Sequence, residues 1–249
     1  MYKERFYRGG QGRDKNMRCF EVSVGETDLW IAVDRSSYSS DLEEFVKEQV
    51  QSLRRELEEY IVRDPEFKTA LVPHRVMPGA PLAAVDMARA ADLAGVGPMA
   101  GVAGMFARET GSLILARTGC RKLIVENGGD IYLAGSGSVT LSIFAGQSPL
   151  SERVGIRLNV RDRMGVCTSS GTVGHSLSFG RADAVVVVSR DAVIADVFAT
   201  SLCNRVQEPE DVAPTLEAAK LAEDVTGAVV ILGKSIGAWG EIELVNLSA

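Results

Sequence analysis

The chain has 249 residues, 46% hydrophobic and 24% charged, with a net charge of −6. That length holds one large domain or two small ones, with most apolar surface buried. The acidic balance leaves no basic field to recruit nucleic acid or an anionic membrane, and no apolar run approaches the ~20 residues of a membrane helix.

Residues 1–18 are charged and carry glycines, so they read as a flexible arm or an added edge strand. They lack the apolar core of a signal peptide, and a cytoplasmic location is expected. Cys19, Cys120, Cys167 and Cys203 lie far apart, form no CxxC pair and are accompanied by only two histidines. Reduced, packed thiols are expected rather than a zinc site. Residues 20–25 and 29–33 read as a hairpin. Ser40-Asp41-Leu42-Glu43 has the form of a capping box opening a helix. Leu42, Phe45, Val46, Val50, Leu53, Leu57, Tyr60 and Ile61 then recur at helical spacing. Asp64-Pro65 should end that helix near Arg63. Residues 64–81, with Pro65, Pro73, Pro78 and Pro81, read as a loop that contains His74. Pro81 suits the first turn of a helix that Gly95 terminates. A further helix should run from Pro98 to about Gly119. Its first turns are nearly bare, with Gly97, Ala100, Gly101 and Gly104. Glycine in a helix costs about 1 kcal/mol, and two reasons stay open: close contact with another helix, or a phosphate at the helix N-terminus.

Residues 123–135, LIVENGGDIYLAG, are the unusual stretch. Two short apolar runs flank Glu126-Asn127-Gly128-Gly129-Asp130. Adjacent glycines give the strongest two-residue turn signal. They also strip the backbone of every Cβ between an amide and a carboxylate, so a ligand can approach closely. Strands are expected over 139–145, 154–160 and 184–188. Residues 166–172, VCTSSGT, are either an ordinary polar turn or a set of donors for phosphate oxygens. His175 follows closely. Ser189 or Asp191 should cap a helix from Ala192 to about Asn204. On it Asp196 shares a face with Ala192, Ala199, Thr200 and Cys203 and has no cation beside it. Such an acid needs something positive or a set of backbone donors. Asp196 and Thr200, one turn apart, are hard oxygen groups suited to Mg²⁺ or Ca²⁺. A helix over 215–225 and strands over 228–232 and 242–247 close the chain.

In order, Asn127-Gly128-Gly129-Asp130-Ile131, then Thr168-Ser169-Ser170-Gly171 with His175, then Ala195-Asp196-x-x-Ala199-Thr200 resemble the motif series of the ApbE family. Those proteins are flavin transferases that bind FAD and Mg²⁺ and attach FMN to a Thr or Ser of a target protein. The chain is most similar to a branch related to that family, marked by VGPMAGVAG and VENGGDIYLAG. The resemblance implies an α/β (α+β) fold of ApbE type, with mixed or antiparallel sheets and packed helices. It implies one domain over 1–249, or two closely packed lobes.

By the same resemblance, Asp196 and Thr200 match Mg²⁺ ligands, with a backbone carbonyl at Ala100 as a third. Asn127, Gly128, Gly129 and Asp130 fall in the flavin-nucleotide pocket, with Thr168, Ser169, Ser170 and Gly171 beside it. His175 matches the histidine at the catalytic centre. The chain departs from the pattern in three places, the first being that no aromatic near its N-terminus matches the family's flavin-stacking residue. After His175 it reads SLSFGRADA, without the family's D-P-x-T-G. The Ala-Lys-Gly of the glycine-rich helix is Val102-Ala103-Gly104, without the lysine. The expected partner is therefore a flavin or other phosphate ligand, and self-association into a homo-oligomer is left open. Three readings follow: a Mg²⁺-dependent transferase acting on FAD, a non-catalytic binder of such a ligand, or a scaffold with a vestigial pocket.

Overall fold

The computed structural model describes residues 16–173 and 178–247. Strands β1 (Met17–Val24) and β2 (Thr27–Asp34) form the opening hairpin. Met17 and Arg18, expected in the arm, already belong to β1. Helix α1 (Ser40–Arg63) is capped one residue earlier than expected: Ser39 accepts from the Leu42 amide, so Ser40 is helical and no Ser40–Glu43 box forms. The segment read as a loop holds a short helix α2 (Pro65–Thr69), which buries Phe67. Helix α3 (Leu82–Ala94) ends on left-handed Gly95. A 3₁₀ turn (Pro98–Gly101) leads into α4 (Val102–Thr118), which ends on left-handed Gly119.

The next hairpin pairs β3 (Leu123–Asn127) with β4 (Asp130–Ala134). Strands β5 (Gly137–Ser142), β6 (Val154–Val160), β7 (Arg163–Ser169) and β8 (Ala184–Ser189) follow. Helices α5 (Ala192–Cys203) and α6 (Val212–Lys220) precede β9 (Val225–Leu232), β10 (Ser235–Gly240) and β11 (Glu243–Asn246). Strand β10 was not expected. Its Ser-Ile-Gly-Ala-Trp-Gly carries two glycines and few β-branched side chains, so local preference is weak. It forms by pairing with β9.

All strand pairs among the described residues are antiparallel. Eight strands make one sheet in the order β1-β2-β3-β4-β7-β8-β9-β10, and β11-β6-β5 make a second. Strand alternation divides the core. On one face, Val125, Tyr132, Cys167, Val185, Val187 and Val230 pack against α1, α4, α5 and α6. On the other, Ile131, Leu133, Val166, Val186, Val188 and Val229 pack against Leu141, Ile156 and Leu158 of the small sheet. The central strand β8, AVVVVS, is buried on both faces. A further apolar cluster joins the end of α1 to α2, α3, α4 and α5. The fold is thus helices on sheet on sheet, with α4 and α5 lying together over the middle of the large sheet. No single helix among the described residues is long and apolar enough to cross a membrane.

Candidate functional site

The β3–β4 connection is a two-residue turn in which Gly128 and Gly129 have φ of +70° and +105°, as a type I′ hairpin requires. Glu126, fully buried, accepts from the Gly129 amide at 2.7 Å and ties the turn to its own strand. Asn127 and Asp130 form the last strand pair before the turn. Their side chains leave the hairpin in useful directions. Asn127 Nδ2 donates to the Ala103 carbonyl at 3.2 Å, at the start of α4. Asp130 Oδ1 accepts from the Thr168 amide of β7 at 3.1 Å.

The bare start of α4 is explained by helix packing. A Cβ on Gly101 would sit 3.0 Å from Val193 and Val197 side chains, and one on Gly104 would run into the Ala192 carbonyl and Asp196. Asp191 caps α5 by accepting from the Val193 amide at 2.7 Å. Arg108, one turn beyond Gly104, donates to Asp191 at 2.8 Å and to Asp86 of α3 at 2.6 Å. The three helices are therefore held close, and the closeness brings Asp196 onto the N-terminus of α4. Its Oδ2 accepts from the Gly104 amide at 2.8 Å. An acid at a helix N-terminus is favourable, so part of the burial cost of Asp196 is met there.

The rest is not met. Asp196 is only 8% exposed. Burial pushes its carboxyl well above the usual carboxylate range, the Asp130 carboxylate pushes it further, and the Gly104 and Ala103 amides pull it back. No lysine or arginine pairs with it among the described residues. Cys167, packed between the two acids and donating to the Ala192 carbonyl, is likewise pushed well up, by burial first and then by Asp130 and Asp196. Two carboxylates thus share a small, low-dielectric space, where backbone amides serve Asp196 and the Cys167 thiol and the Thr168 amide lie against Asp130.

The other sequence-predicted residues fall around this centre. Thr200 is one turn along α5 from Asp196 and half-buried. Ala100 lies in the 3₁₀ turn packed on α5, its amide donating to Gly97. Thr168 is bound through its amide to Asp130. Ser169 is buried, and its Oγ has no partner among the described residues. Ser170 turns back on its own segment: its Oγ accepts from the Thr172 and Val173 amides at 3.1 and 3.0 Å. Gly171 is pressed against the Gly180 carbonyl. His175 lies outside the described residues. Among them, no three His, Cys, Asp or Glu side chains gather as a metal-holding group. A cavity of about 540 Å³, lined by Asp34, Arg35, Ser36 and Arg121, sits at the opposite end of the β2–β3 pair from Asn127.

Sequence reading missed one polar cluster that is likewise shielded from solvent. Asp64, 5% exposed, accepts from Tyr60 Oη at 2.6 Å and contacts His74 Nε2 with both oxygens at 3.0 Å. Tyr60 Oη also accepts from the Met77 amide. Although burial pushes the Asp64 carboxyl up, the Tyr60 and His74 contacts together outweigh it and hold the group below its ordinary range. The only sequence signal was Asp64 before Pro65, which read as a helix stop.

This arrangement of sheets and helices is that of the ApbE flavin transferases. Flavinyl transferase ApbE of Pseudomonas stutzeri superposes with a TM-score of 0.56 over 90% of this chain and 94% of that one, at 14% identity. The ApbE protein of Thermotoga maritima does so with a TM-score of 0.55 over 88% and 96%, at 12% identity. A family model described as "AbpE bacteria" matches residues 11–234. UPF0280 proteins of Methanococcus aeolicus and Methanocaldococcus jannaschii are 41% and 38% identical, each over about nine-tenths of both chains. The chain belongs to this UPF0280 family, a branch of the ApbE fold.

Proposed function

We propose that the junction of α4, α5 and the β3–β4 turn binds Mg²⁺ together with the diphosphate of FAD or a related flavin nucleotide. The observation that carries this reading is the Asp196 carboxylate, buried beside Asp130 with amide donors and, among the described residues, no lysine or arginine against it. A divalent cation supplies the missing charge, and it fits the hard oxygen donors present. Mg²⁺ commonly takes one or two carboxylates and completes its shell with water and ligand phosphates, so the lack of a three-residue cluster is no obstacle. Asp196 and Thr200, with the Ala100 carbonyl, would hold the ion. When bound, Mg²⁺ neutralises the diphosphate and polarises it toward attack.

The chain's own groups do the rest. Gly128 and Gly129 expose backbone to the nucleotide, and Asn127 and Asp130 fix the position of the turn against α4 and β7. Thr168, Ser169, Ser170 and Gly171 form the neighbouring wall. A second reading, transfer of FMN from FAD to a Thr or Ser with His175 at the reacting end, is favoured by the order of the motifs. The absent D-P-x-T-G speaks for binding without transfer. The four cysteines are free thiols in this structure, which suits a cytoplasmic setting.

Calorimetric titration of FAD with and without Mg²⁺ tests the reading. Binding that requires Mg²⁺ is expected, and no binding under either condition overturns it. Release of AMP or labelling of a Thr-bearing peptide in the same mixture selects transfer over binding alone.

A further inference from the structure

Seven of the eleven large apolar side chains exposed among the described residues fall between Val62 and Leu93. They are Val62, Leu71, Val72, Met77, Leu82, Val85 and Leu93, with Leu82 83% and Val62 80% exposed. The fold gathers them. Gly97, just beyond α3, is packed against Ala70 and Leu71, so the 71–79 segment starts at the C-terminal end of α3. Met77 is tied to Tyr60, and Arg63 donates to the Gly79 carbonyl. The segment therefore returns along α3 to its N-terminal end, where α1 also finishes with Val62.

On α3 itself, Leu82, Val85, Arg89, Asp92 and Leu93 are all exposed. At 100° per residue they fall in one stripe roughly 100° wide. The opposite side of α3 is committed, with Ala84, Met87, Ala88 and Ala91 in the helical core; Asp86, at the edge of the stripe beside Leu93, is held by Arg108. Arg89 and Asp92 make no ion pair in their own chain among the described residues. Apolar patches of this size mark interaction surfaces on soluble proteins.

We infer that this face pairs with a second copy of the chain across a two-fold axis, with α3 antiparallel to its mate. The charge pattern selects that occupant. A two-fold contact is self-complementary, and an axis passing between positions 89 and 92 sets Arg89 of each copy against Asp92 of the other. The same axis carries Leu82 and Val85 past the C-terminal end of the partner helix, where Leu71 and Val72 wait. Within the α3 stripe one positive and one negative charge are left for a partner, and across the axis each meets its opposite in the second copy. Arg108 reaches only the edge of the stripe, at Asp86 beside Leu93; no residue of the Asp196 site lies in it, and the inference does not depend on what Asp196 binds.

Sedimentation equilibrium and light scattering of the full chain at about 50 µM, well above the range of a micromolar dimer, provide the test. A mass twice that of the chain is expected. Leu82→Glu with Val85→Glu should remove the dimer. Arg89→Glu or Asp92→Arg alone should weaken it by roughly tenfold, and the two together should restore it, because the swap recreates both cross-axis pairs. These side chains are exposed, so the far-ultraviolet dichroism of each variant should match the parent, and so should its unfolding midpoint at concentrations where every protein is monomeric. A monomeric parent overturns the inference, including one that floats with anionic vesicles, and so does a dimer untouched by the two glutamates or a double charge reversal that fails to restore association.

Discussion

Asp64 and Asp196 are both shielded from solvent, Asp64 just beneath the surface and Asp196 deep among the helices, and their surroundings have opposite characters. Asp64 sits among groups placed to serve it: the Tyr60 hydroxyl and His74, whose rings both pack edge-on with Phe67. Its carboxylate is favoured and its role is complete within the fold. Asp196 has two amides and a second acid, and its carboxylate is disfavoured. A buried polar group with all its partners rigidifies a structure. One left short of charge, at the meeting of three helices and a bare turn, is held there by the packing around it, and in the reading proposed above a ligand completes it.

The contrast can be broken by mutation, and the largest effect belongs to Asp64. Asp64→Ala strands Tyr60 and His74 and should cost roughly 3 kcal/mol in chemical denaturation. A cost near zero would mean the cluster is not the staple described. Gly104→Ala should come next, at about 1–3 kcal/mol, because the new methyl meets the Ala192 carbonyl and forces α4 from α5. Its loss should extend to ligand binding, since the Gly104 amide is what holds Asp196. Tyr60→Phe, which removes one hydrogen bond and leaves the ring, should cost about 1 kcal/mol. Asp196→Asn is the smallest and has the opposite sign: the amide oxygen still accepts from Gly104, while the charge is gone, so the ligand-free protein should be unchanged or stabilised near neutral pH.

Acid and base sharpen the same contrast. The folded-state pKa of Asp64 is lowered, so the unfolded chain binds more protons and its stabilisation is present above the ordinary carboxylate value near 4 and lost as pH falls below it. Asp196 is raised, so the folded chain holds its proton longer. Its contribution is complete below about pH 4 and is lost as pH rises toward the folded value. Urea midpoints measured across that range should therefore lose their acid arm in Asp64→Asn and their decline toward neutral pH in Asp196→Asn.

How much of this was legible in the sequence follows from how local each cause is. The Gly128-Gly129 turn, the Gly95 and Gly119 helix stops and the buried β8 strand depend on a few adjacent residues, and each was readable. Asp196 was readable because an acid among small and apolar residues on one helix has few meanings. The Ser170 turn was not separable from a phosphate loop, because both use the same hydroxyls and differ only in which amide each one meets. The Asp64–His74 pair was missed for a related reason: ten residues and a proline-rich segment separate the partners, and nothing local encodes their meeting. Strand β10 depends on β9, with which it pairs, and on α6, against which Gly237 packs.

The most direct test of the account is the unfolding midpoint of the parent and of Asp196→Asn, with and without millimolar Mg²⁺, from about pH 5 to 8. The account predicts that Mg²⁺ stabilises the parent, increasingly as pH rises and Asp196 would otherwise have to ionise uncompensated, and that the variant gains nothing. An equal shift in both proteins, or none in the parent at any pH, would contradict it.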